Sequence, residues 1–572
     1  MRIEQHLEAR ARAAICECLG VQAPALIRPT QDATLGDYQL NGLLPLSKQL
    51  GKPAKELATS VLPGLLKVPT IASATVAGPG FINLTLAPAW IAKQLQDDMG
   101  QSRLGVTPAD RPMRIVVDFS APNIAKRMHV GHLRSTILGA ALVKLLRMIG
   151  HAVIADNHIG DWGTQFGLLL AGMKRTESSD PLRHASVEAL ERIYQDATAL
   201  AKSDASFLEE ARAELAKLQS GDSENRSIWE RLVSISRTEL EQLYALLDVS
   251  FDYWLGESAY HNMLEPLVNA LLEQGIAILD AGAICVFFTE PPELAALKTP
   301  LIVRKSDGAF LYATTDIATV KYRYEHFQAE VCLYVVDSRQ KLHFKQISAV
   351  IAKLGLPVTL KVVDFGSILG ADKKPLKTRD GGTIALYALL EEAQARAAEA
   401  VKEEGLDVSE QEMLRVARAV GIGAVKYADL RQNRLTDYQF DWDKMISFQG
   451  NAGPYLQYAY ARVRTLFQKG GLDFDAFEAA PITLAHPSEL SLAKQLLRLD
   501  EVVHQAAESY LPHVLCDHLY AVARQFSNFY QECPILKAAP KERLSRLSLA
   551  KMTALELGMG LELLGIEALE RM

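Results

Sequence analysis

The sequence predicts an α/β protein centred on a doubly wound, parallel, Rossmann-type sheet with a helical insertion, preceded by an α+β domain and followed by an all-α domain. Three observations support this fold class. Residues 114–160 read as strand, loop, apolar helix and strand, a unit that builds a parallel sheet. The length of 572 residues exceeds what one hydrophobic core organises. After about residue 407 the alternation of strands and helices stops, and the pattern becomes helical.

Residues 1–105 are predicted to form the α+β domain. An amphipathic helix opens it, the turn-rich stretch TLGDYQLN follows, and helices are expected from Leu43 to Leu66. The alternating segment TVAGPGFINLTL predicts strand structure that is interrupted at GPG by a turn or bulge. The segment GVTPADRP is expected to be a linker to the next domain.

Residues 113–407 are predicted to form the Rossmann-type domain. RIVVDF is its first strand, HVGH occupies the following loop and helix start, and HAVIADNHIG contains the next strand. The charged, helical stretch at about 168–250 is expected to be an insertion. The segments AICVFF, PLIVRK, VCLYVVD and LKVVDFG are expected to supply a second βαβ half. Residues 408–572 are predicted to form the all-α domain.

Composition and charge exclude several classes of protein. The chain is 49% hydrophobic and 23% charged, which is typical of folded domains. Its formal net charge of −7 argues against a non-specific nucleic-acid coat, although a local basic groove stays open. The six cysteines show neither zinc spacing nor a disulfide pattern, so a reducing cytoplasm is expected. The sequence has no apolar run of about eighteen residues, so no membrane span is expected. The acidic residues near the N-terminus are not typical of a transit peptide.

The tetrapeptide HVGH places His129 and His132 around Gly131. No nearby residue completes the three or four ligands of a zinc site, so no metal site is predicted. A structural role, in which one histidine caps the helix and the other packs, stays an open alternative. The position at a helix N-terminus after the first strand favours an anion, so the imidazoles are expected to donate to phosphate oxygens. Gly131 is expected to leave room for a base or ribose.

Together with its flanks DFSAPNIAK and LRST, this loop resembles the signature loop of the class I aminoacyl-tRNA synthetases. In full context the chain resembles the arginyl-tRNA synthetases, because further motifs follow in the family's order. They are NHIGDWGTQFG at 157–167, RKSDGAFLYATTD at 304–316, VVDSRQKLHF at 335–344, GNAGPYLQYAYAR at 450–462 and the final ALERM. HxGH alone is a weak signal, whereas the ordered set is specific and spans essentially the whole chain.

The resemblance implies an activity and its partners. Arginine and ATP, as the Mg²⁺ complex, would give arginyl-adenylate and pyrophosphate, and the arginyl group would pass to the 3′-terminal adenosine of tRNA(Arg). Bound tRNA would assist the first step. The implied domain roles are contact with the tRNA elbow for residues 1–105, catalysis for 113–407 and anticodon binding for 408–572. A monomer without a structural metal is expected.

The resemblance also implies an ATP site. His129 and His132 would bind the phosphates and stabilise the charge that develops as the arginine carboxylate attacks the α-phosphorus. For His343, a role as helix cap or core residue stays open. The implied ATP-binding residues are His129, Gly131, His132, His343, Leu369 and Lys377.

Recognition of arginine calls for acidic side chains, because a guanidinium is a planar fork of donors that a carboxylate matches. The family pattern falls on Asp118, Tyr312 and Asp316, of which the last two share a helical face. A helix cap at Asp316 and a core position for Tyr312 stay open. Neutral polar groups would hold the α-amino and α-carboxylate ends of the substrate. The implied residues for these ends are Ser120, Asn123 and Gln340.

The second signature of the class, a lysine-rich loop, departs here from its usual pattern. After LKVVDFGSILG comes ADKKPLKTRDGG, whose register against the family loop is open. Lys374 and Lys377 are the predicted catalytic lysines, and an ordinary solvated basic loop stays an alternative. If the loop lysine is displaced, Lys126, three residues before His129, is expected to meet the pyrophosphate leaving group.

Unpaired RNA bases are read by aromatic rings beside positive charge, and the helical domain offers such groups. In the helical domain the candidates are Tyr455, Tyr458 and Arg462, although helical spacing also allows these tyrosines to be core. In the first domain the resemblance implies tRNA contact by Tyr38, Gln39, Phe81 and Asn83, although turn chemistry alone stays an alternative explanation of GDYQ and GPGF.

Two rival functions stay open: a class I synthetase for another amino acid, and a non-catalytic RNA-binding relative.

Overall fold

A computed structural model describes residues 2–30, 32–175, 186–297, 299–370, 372–374, 376, 384–403 and 409–572 of the chain. The chain divides into two compact units. The first unit comprises Met1–Ala109, Phe448–Leu563 and Glu567–Met572, and the second comprises Asp110–Ser447 and Leu564–Ile566.

The first unit begins with the predicted mixture of helices and strands. Its elements are α1 (Ile3–Leu19), β1 (Ile27–Pro29), β2 (Tyr38–Leu40), α2 (Leu43–Leu50), α3 (Ala54–Leu66), β3 (Ile71–Ala77), β4 (Phe81–Leu86) and α4 (Pro88–Met99). The strands form an antiparallel sheet in the order β1-β2-β4-β3. The predicted turn at GPG joins β3 to β4. Gly80 there has φ +137°, and a Cβ on it would lie 2.6 Å from Ala54.

The second unit is built on the predicted βαβ unit. It consists of β5 (Arg114–Asp118), α5 (Val130–Met148) and β6 (Ala152–Asp156). The two strands pair in parallel, with Asp118 opposite Asp156 at their carboxyl ends. A crossover helix is the connection that parallel neighbours need, and the apolar helix after HVGH provides it. The loop after β5 and the start of α5 are thereby placed at one edge of the sheet.

Helices follow β6 and form the predicted insertion. They are α6 (Thr164–Lys174), α7 (Val187–Ser203), α8 (Ala205–Gln219) and α9 (Ser223–Leu246). Side chains at the N-caps of the last three accept backbone hydrogen bonds: Ser186 caps α7, Asp204 caps α8 and Asp222 caps α9. Buried Phe166 and Leu190 of the insertion pack in one cluster with Ile124, so the insertion is fastened to the loop that follows β5.

Strands and helices alternate again after the insertion. The elements are α10 (His261–Glu273), β7 (Ile278–Asp280), β8 (Ala283–Val286), α11 (Pro292–Ala295), β9 (Leu301–Arg304), α12 (Tyr312–Phe327), β10 (Val331–Asp337), α13 (Lys341–Lys353) and β11 (Thr359–Phe365). β10 and β11 join the parallel sheet, whose order is β11-β10-β5-β6. The predicted Rossmann-type fold, with VCLYVVD and LKVVDFG in its sheet, is confirmed.

Two other predicted strands lie outside that sheet. AICVFF and PLIVRK contribute β8 and β9, which form a separate antiparallel sheet with β7. The prediction that they belong to the parallel sheet is therefore wrong. Only Ala281 and Gly282, both with positive φ, join β7 to β8. A two-residue connection makes an antiparallel hairpin, since parallel neighbours need a crossover of about a dozen residues or more.

The remaining elements are mainly helical, but the region predicted to be all-helical, 408–572, contains a short strand at Tyr438–Gln439, which pairs with Ile368–Leu369. In the second unit they are β12 (Ile368–Leu369), α14 (Leu386–Glu403), α15 (Glu410–Leu430), β13 (Tyr438–Gln439) and α16 (Trp442–Met445). In the first unit they are α17 (Gly453–Lys469), α18 (Pro487–Leu496), α19 (Leu499–Glu508), α20 (His513–Glu532) and α21 (Pro540–Leu563).

Within the first unit, the early elements pack on these late helices. α4 contacts α18 and α21, and the backbone N–H of Thr107 donates to Asp500 Oδ1 at 2.9 Å. Residues 408–447, by contrast, group with the sheet unit. The three domain boundaries drawn from the sequence stay a prediction. Across the described ranges, no helix combines the length and apolarity needed to cross a membrane.

Candidate active site

The carboxyl ends of β5 and β10 border a cavity of about 500 Å³. The first turns of α5, α12 and α13 complete its wall, at the edge of the sheet where parallel α/β folds bind ligands. A second cavity of about 190 Å³ shares Asn123 and His132 with the first. The sequence-predicted residues that line these cavities are Asp118, Ser120, Asn123, Lys126, His129, Gly131, His132, Tyr312, Asp316, Gln340 and His343.

His129 and His132 cap α5 reciprocally. The N–H of Gly131 donates to His129 Nδ1 at 3.1 Å, and the N–H of His129 donates to His132 Nδ1 at 3.1 Å. Because Nδ1 of each ring accepts a hydrogen bond, the neutral imidazole carries its proton on Nε2. Helix capping and ligand binding are therefore compatible, since each capping ring keeps an Nε2–H donor.

Electrostatics keep both rings neutral. Burial lowers the pKa of His129, and burial together with the neighbouring His129 lowers the pKa of His132 to about 4. The two ring centroids are 4.1 Å apart, so two imidazolium charges would also repel each other. Near neutral pH the pair consists of hydrogen-bond donors without net charge.

Two glycines allow close contacts around this loop. A Cβ on Gly131 would lie 2.8 Å from Cε1 of His129, so the glycine makes room for the capping imidazole itself. The sequence prediction assigned that room to a nucleotide. A Cβ on Gly160 would lie 2.1 Å from Asn123 Oδ1, while the N–H of Ile124 donates to the Gly160 carbonyl at 3.0 Å. The loop after β5 is thus held directly against the loop after β6.

Asp118 ends β5 beside a fully buried guanidinium. Nη2 of Arg323 donates to Oδ2 of Asp118 and to Oδ2 of Asp156, each at 2.7 Å, and Nη1 donates to the Tyr334 hydroxyl at 3.2 Å. Burial raises the pKa of Asp156, and the charge of Arg323 opposes that shift. Sequence reasoning missed Arg323, because YRYEHF reads as an ordinary charged helix face.

Tyr312 and Asp316 lie on one face of α12, as their spacing predicts. Tyr312 is 70% exposed, which excludes the core alternative for this residue. Asp316 lies inside the helix, after the N-cap Leu311, so it is not the capping residue. Its Oδ2 lies 2.5 Å from Nε2 of His343 on α13. The predicted arginine-binding and ATP-binding residues therefore meet in one hydrogen-bonded pair.

Glu257 is a cavity residue that sequence reasoning missed. It lines the larger cavity near Asp316, and burial, with Asp161 and Asp316, raises its pKa to about 8. The Asp161 carboxylate accepts hydrogen bonds from the N–H and hydroxyl of Ser258, at 2.9 and 2.6 Å, and so holds the turn that carries Glu257. In the described part of the chain no cation pairs with Glu257. No local pattern in GESAY distinguishes it from a surface acid.

The neutral polar candidates, Ser120, Asn123 and Gln340, differ in whether their side chains already contact other polar groups. Ser120 is buried, and its hydroxyl lies 2.9 Å from Thr136 Oγ1 and 2.7 Å from the Tyr244 hydroxyl. Its φ of +72° shows that the chain turns sharply after β5. Asn123 and Gln340 are exposed on the cavity wall. Their amides are open to a ligand, whereas Ser120 already has two hydroxyl neighbours.

The lysine-rich stretch is described only in part. Leu369 lies in β12 opposite Gln439, and Lys374 is exposed with its N–H bound to Asp372 Oδ1 at 3.1 Å. Lys377 falls outside the described residues. Where the description resumes, the N–H of Val130 donates to the Ile384 carbonyl at 3.0 Å. The chain after the lysines is thus tied to the HVGH loop.

Lys126 lines the smaller cavity together with His129 and His132. Its Nζ lies 4.6 Å from the ring centroid of Tyr194, on α7 of the insertion. This distance is within the range of a cation–π contact. The structure thus brings the lysine that sequence reasoning singled out to the same cavity as the two imidazoles.

The tRNA candidates lie in the first unit. Tyr38 and Asn83 are buried in the antiparallel sheet, whereas Gln39 and Phe81 are partly exposed. On α17, Tyr458 is 39% exposed. Tyr455 and Arg462 of the same helix reach α20, where their neighbours are the ring of Tyr520 at 5.7 Å and the ring of Tyr530 at 4.2 Å. The late helices therefore present a face of aromatic rings and guanidinium groups.

Family models match consecutive parts of the chain. Residues 94–442 match the tRNA synthetases class I (R) catalytic domain. Residues 456–572 match the DALR anticodon binding domain, and residues 2–86 match the arginyl tRNA synthetase N terminal domain.

Curated relatives are similar over their whole length. The arginine–tRNA ligase of Shigella dysenteriae serotype 1 is 44% identical over 582 residues, covering 100% of both chains. That of Salmonella paratyphi B is 46% identical over 552 residues, covering 96% of this chain and 95% of the relative.

Solved structures share the fold. The arginyl-tRNA synthetase of Plasmodium falciparum matches with a TM-score of 0.82 at 26% identity, covering 100% of this chain and 99% of the other. The Thermus thermophilus arginyl-tRNA synthetase matches with a TM-score of 0.80 at 25% identity, covering 100% of both chains.

Proposed function

Since the chain belongs to the class I arginyl-tRNA synthetases, we propose that its two cavities at the strand ends hold arginine and the phosphates of ATP. The chain charges tRNA with arginine and uses ATP to do so. The oxygen of the arginine carboxylate attacks the α-phosphorus, the bond to the β-phosphate oxygen breaks, and pyrophosphate leaves. The adenylate then passes its arginyl group to the 2′-hydroxyl of the terminal adenosine, and AMP leaves.

The acidic wall of the larger cavity is the observation that carries the assignment of the arginine side chain. Tyr312 and Asp316 lie on one helical face, and Glu257 adds a third polar group whose pKa is raised to about 8. A buried carboxyl without a cationic partner is costly to ionise, and a guanidinium supplies the missing charge with matching geometry. Asp118, held by the buried Arg323, completes this acidic wall.

The polar ends of arginine are assigned to neutral side chains of the same cavity. Asn123 and Gln340 expose amides that can accept from the α-amino group and donate to the carboxylate. Ser120 supports the turn on which Asn123 lies, through its contacts with Thr136 and Tyr244. The carboxylate is thereby directed towards the smaller cavity, where the α-phosphate of ATP would lie.

The phosphates of ATP are assigned to the capped start of α5. His129 and His132 direct Nε2–H donors at oxygens that gain charge during the attack, and neutral rings do so without a protonation step. Mg²⁺ enters with ATP as part of the substrate complex. His343 and Leu369 are assigned to the nucleoside side of ATP, with His343 linked to the arginine site through Asp316.

The charge of the departing pyrophosphate calls for cations. Lys126 lies beside the two histidines and is the described lysine best placed for this role. Lys374 and Lys377 of the lysine-rich stretch are assigned to the same step. An Lys126→Ala variant is expected to lose on the order of a hundredfold in arginine activation, the loss typical of one transition-state charge contact.

Recognition of tRNA is assigned to the first unit. Tyr455, Tyr458 and Arg462 are proposed to contact the anticodon, because stacking rings beside positive charge bind unpaired bases. Gln39 and Phe81, with Tyr38 and Asn83 supporting them from within the sheet, are proposed for the tRNA elbow. Bound tRNA is proposed to assist activation. The protein is proposed to act as a monomer in the cytoplasm.

One assay tests the substrate, the tRNA requirement and the two rival functions together. Exchange of labelled pyrophosphate into ATP is measured with each amino acid, with and without tRNA. Arginine alone is expected to drive exchange, and only with tRNA present. Exchange driven by another amino acid would reveal a different substrate, and no exchange under any condition would indicate a non-catalytic RNA-binding protein.

A further inference from the structure

We propose that Tyr194, on the helical insertion, is a positioning residue that holds Lys126 at the phosphate cavity. The inference rests on the proposed function, in which Lys126 meets the departing pyrophosphate. Tyr194 is not assigned a contact with arginine or ATP. It acts through the ammonium group that its ring faces.

The contact joins a flexible side chain to a fixed ring. Nζ of Lys126 lies 4.6 Å from the centroid of the Tyr194 ring, within the range of about 6 Å for cation–π attraction. Tyr194 packs on the buried cluster of the insertion, which includes Phe166 and Leu190. A lysine side chain has many rotamers, whereas a ring seated on a packed core has few. The ring therefore restricts where the ammonium can lie.

The same helix removes competing carboxylates from Lys126. Nε of the adjacent Arg127 lies 2.8 Å from Oε2 of Glu191, and Nη1 lies 3.8 Å from Oε1 of Glu188. Glu188, Glu191 and Tyr194 recur every third residue along α7 and face the same loop. Among the residues that the structure describes, no carboxylate forms an ion pair with Lys126. Arg127 thus pairs with Glu188 and Glu191, and Lys126 contacts the ring of Tyr194 instead of a carboxylate.

An aromatic face suits a cation that must act on a substrate. A carboxylate partner would neutralise the ammonium and would compete with pyrophosphate for it, whereas a π face holds the ammonium and leaves its charge intact. His129 and His132 are neutral, because burial lowers the pKa of each. Of the charged groups that line the smaller cavity, Arg127 and Glu191 pair with each other. Among the described residues that line that cavity, Lys126 therefore supplies the positive charge that has no ion-pair partner.

Tyr194 also lies near the arginine site. Partial burial raises the pKa of the Tyr312 hydroxyl, and interactions with Glu257 and Tyr194 raise it further. Tyr194 is therefore within electrostatic reach of Tyr312. A role through Tyr312 would change the KM for arginine. A role through Lys126 changes the rate of the step in which pyrophosphate leaves, so the two roles are separable by kinetics.

The test is a double-mutant cycle on arginine-dependent pyrophosphate exchange by the full chain with tRNA. Tyr194→Leu removes the ring and is expected to lower kcat about tenfold, the rate equivalent of a cation–π contact. Tyr194→Phe keeps the ring and is expected to stay within about twofold of the parent. In the Lys126→Ala background, Tyr194→Leu is expected to cause no further loss, because the group it positions is already gone.

The controls separate positioning from folding. Leu200→Ala changes another partly exposed apolar residue of α7 and is expected to leave kcat unchanged. Melting temperatures are compared for all variants, and Tyr194→Met replaces Tyr194→Leu if the latter melts early. Full activity of both ring-free variants, equal losses from Tyr194→Phe and Tyr194→Leu, or an undiminished loss in the Lys126→Ala background overturns the inference. Full activity of Lys126→Ala overturns instead the role of Lys126 in the proposed function.

Discussion

Nη2 of Arg323 lies 2.7 Å from Oδ2 of Asp118, and both side chains are buried beneath the larger cavity. The guanidinium comes from α12 and the carboxylate from the end of β5, which are separated by 205 positions in the chain. Asp156 shares the same nitrogen at 2.7 Å. One cation therefore compensates two buried acids and orients the Asp118 carboxylate, which lines the larger cavity.

Replacing this cation is expected to destabilise the sheet unit strongly. Arg323→Met leaves Asp118 and Asp156 buried without a counter-charge, and loss of one partner of a buried ion pair costs about 3–5 kcal/mol. Urea unfolding followed by tryptophan fluorescence measures the change. The matched control is Arg339→Met, which removes an 87% exposed guanidinium from Asp337 and is expected to cost less than about 1 kcal/mol. Equal losses in the two variants would contradict the structural role of Arg323.

Arginine binding is expected to strengthen as the pH rises towards 8. The pKa of Glu257 is raised to about 8, chiefly by burial, so the carboxyl is protonated below that pH and must release a proton to bind a guanidinium. The KM for arginine should therefore fall with rising pH, by up to about tenfold per unit well below the pKa, and level off above it. KM is measured from pH 6.5 to 9 by pyrophosphate exchange.

A neutral variant provides the comparison for this pH dependence. Glu257→Gln removes the titrating group, so its KM for arginine should be higher and should lose the dependence on pH. Glu265→Gln, on α10 and paired with Arg304, should keep the dependence of the parent. If Glu257→Gln keeps that dependence as well, another group carries it.

The capping geometry of His129 allows its two roles to be separated. His129→Asn retains a side-chain acceptor for the helix N-terminus but lacks the Nε2–H donor, so stability should change by less than about 1 kcal/mol. Arginine activation should fall on the order of a hundredfold. His486 is a natural control, because it caps α18 by the same pattern, with Ser488 N–H bound to Nδ1 at 3.3 Å. His486→Asn should keep full activation, and an equal fall in both variants would mean that capping alone matters.

Gly131→Ala is expected to displace the imidazole of His129. The added Cβ would lie 2.8 Å from Cε1 of that ring, closer than carbon atoms approach, so the ring must turn away from its capping position. Activation should fall about tenfold through the weakened phosphate contact. In Gly100→Ala the new Cβ would meet only the Asp97 carbonyl, at 3.7 Å, so that variant should behave as the parent. Pyrophosphate exchange at saturating arginine measures both.

The exposed face of α17 is expected to contribute to tRNA affinity. Tyr458→Ala should raise the KM for tRNA about 5- to 100-fold, the effect of losing one stacked base, with the KM values for arginine and ATP unchanged. Tyr253→Ala, which changes a tyrosine of similar exposure in the sheet unit, should leave the KM for tRNA unchanged. Aminoacylation kinetics at fixed salt give all three constants. An unchanged KM for tRNA in Tyr458→Ala would remove this residue from the proposed interface.

Much of the fold follows from local patterns in the sequence. RIVVDF, the apolar helix after HVGH and VCLYVVD each carry the periodicity of their element, so β5, α5 and β10 lie where the sequence predicts them. AICVFF and PLIVRK have equally apolar patterns, but an apolar pattern does not indicate which sheet a strand joins. The two-residue turn before AICVFF decides that, through chain geometry rather than hydrophobicity.

The candidate site likewise contains residues that the sequence predicts and contacts that it does not. The motif loops and their resemblance to a known family predict His129, Tyr312 and Asp316, because short spacings place these residues on one turn or one helical face. The resemblance alone cannot indicate that His129 and His132 cap the same helix through Nδ1, since that depends on ring orientation. Nor can it indicate that Ser120 is held by hydroxyl groups from α5 and α9.

By itself, the sequence determines the order of the elements, the loop at the start of α5 and the family to which the chain belongs, because these depend on short-range patterns. Only the tertiary structure decides that Arg323 contacts Asp118, that Glu257 lines the larger cavity and that the ring of Tyr194 faces Lys126. Each of these contacts joins segments far apart in the chain. The charge and pKa of a buried group depend on what folding brings next to it, which no local pattern records.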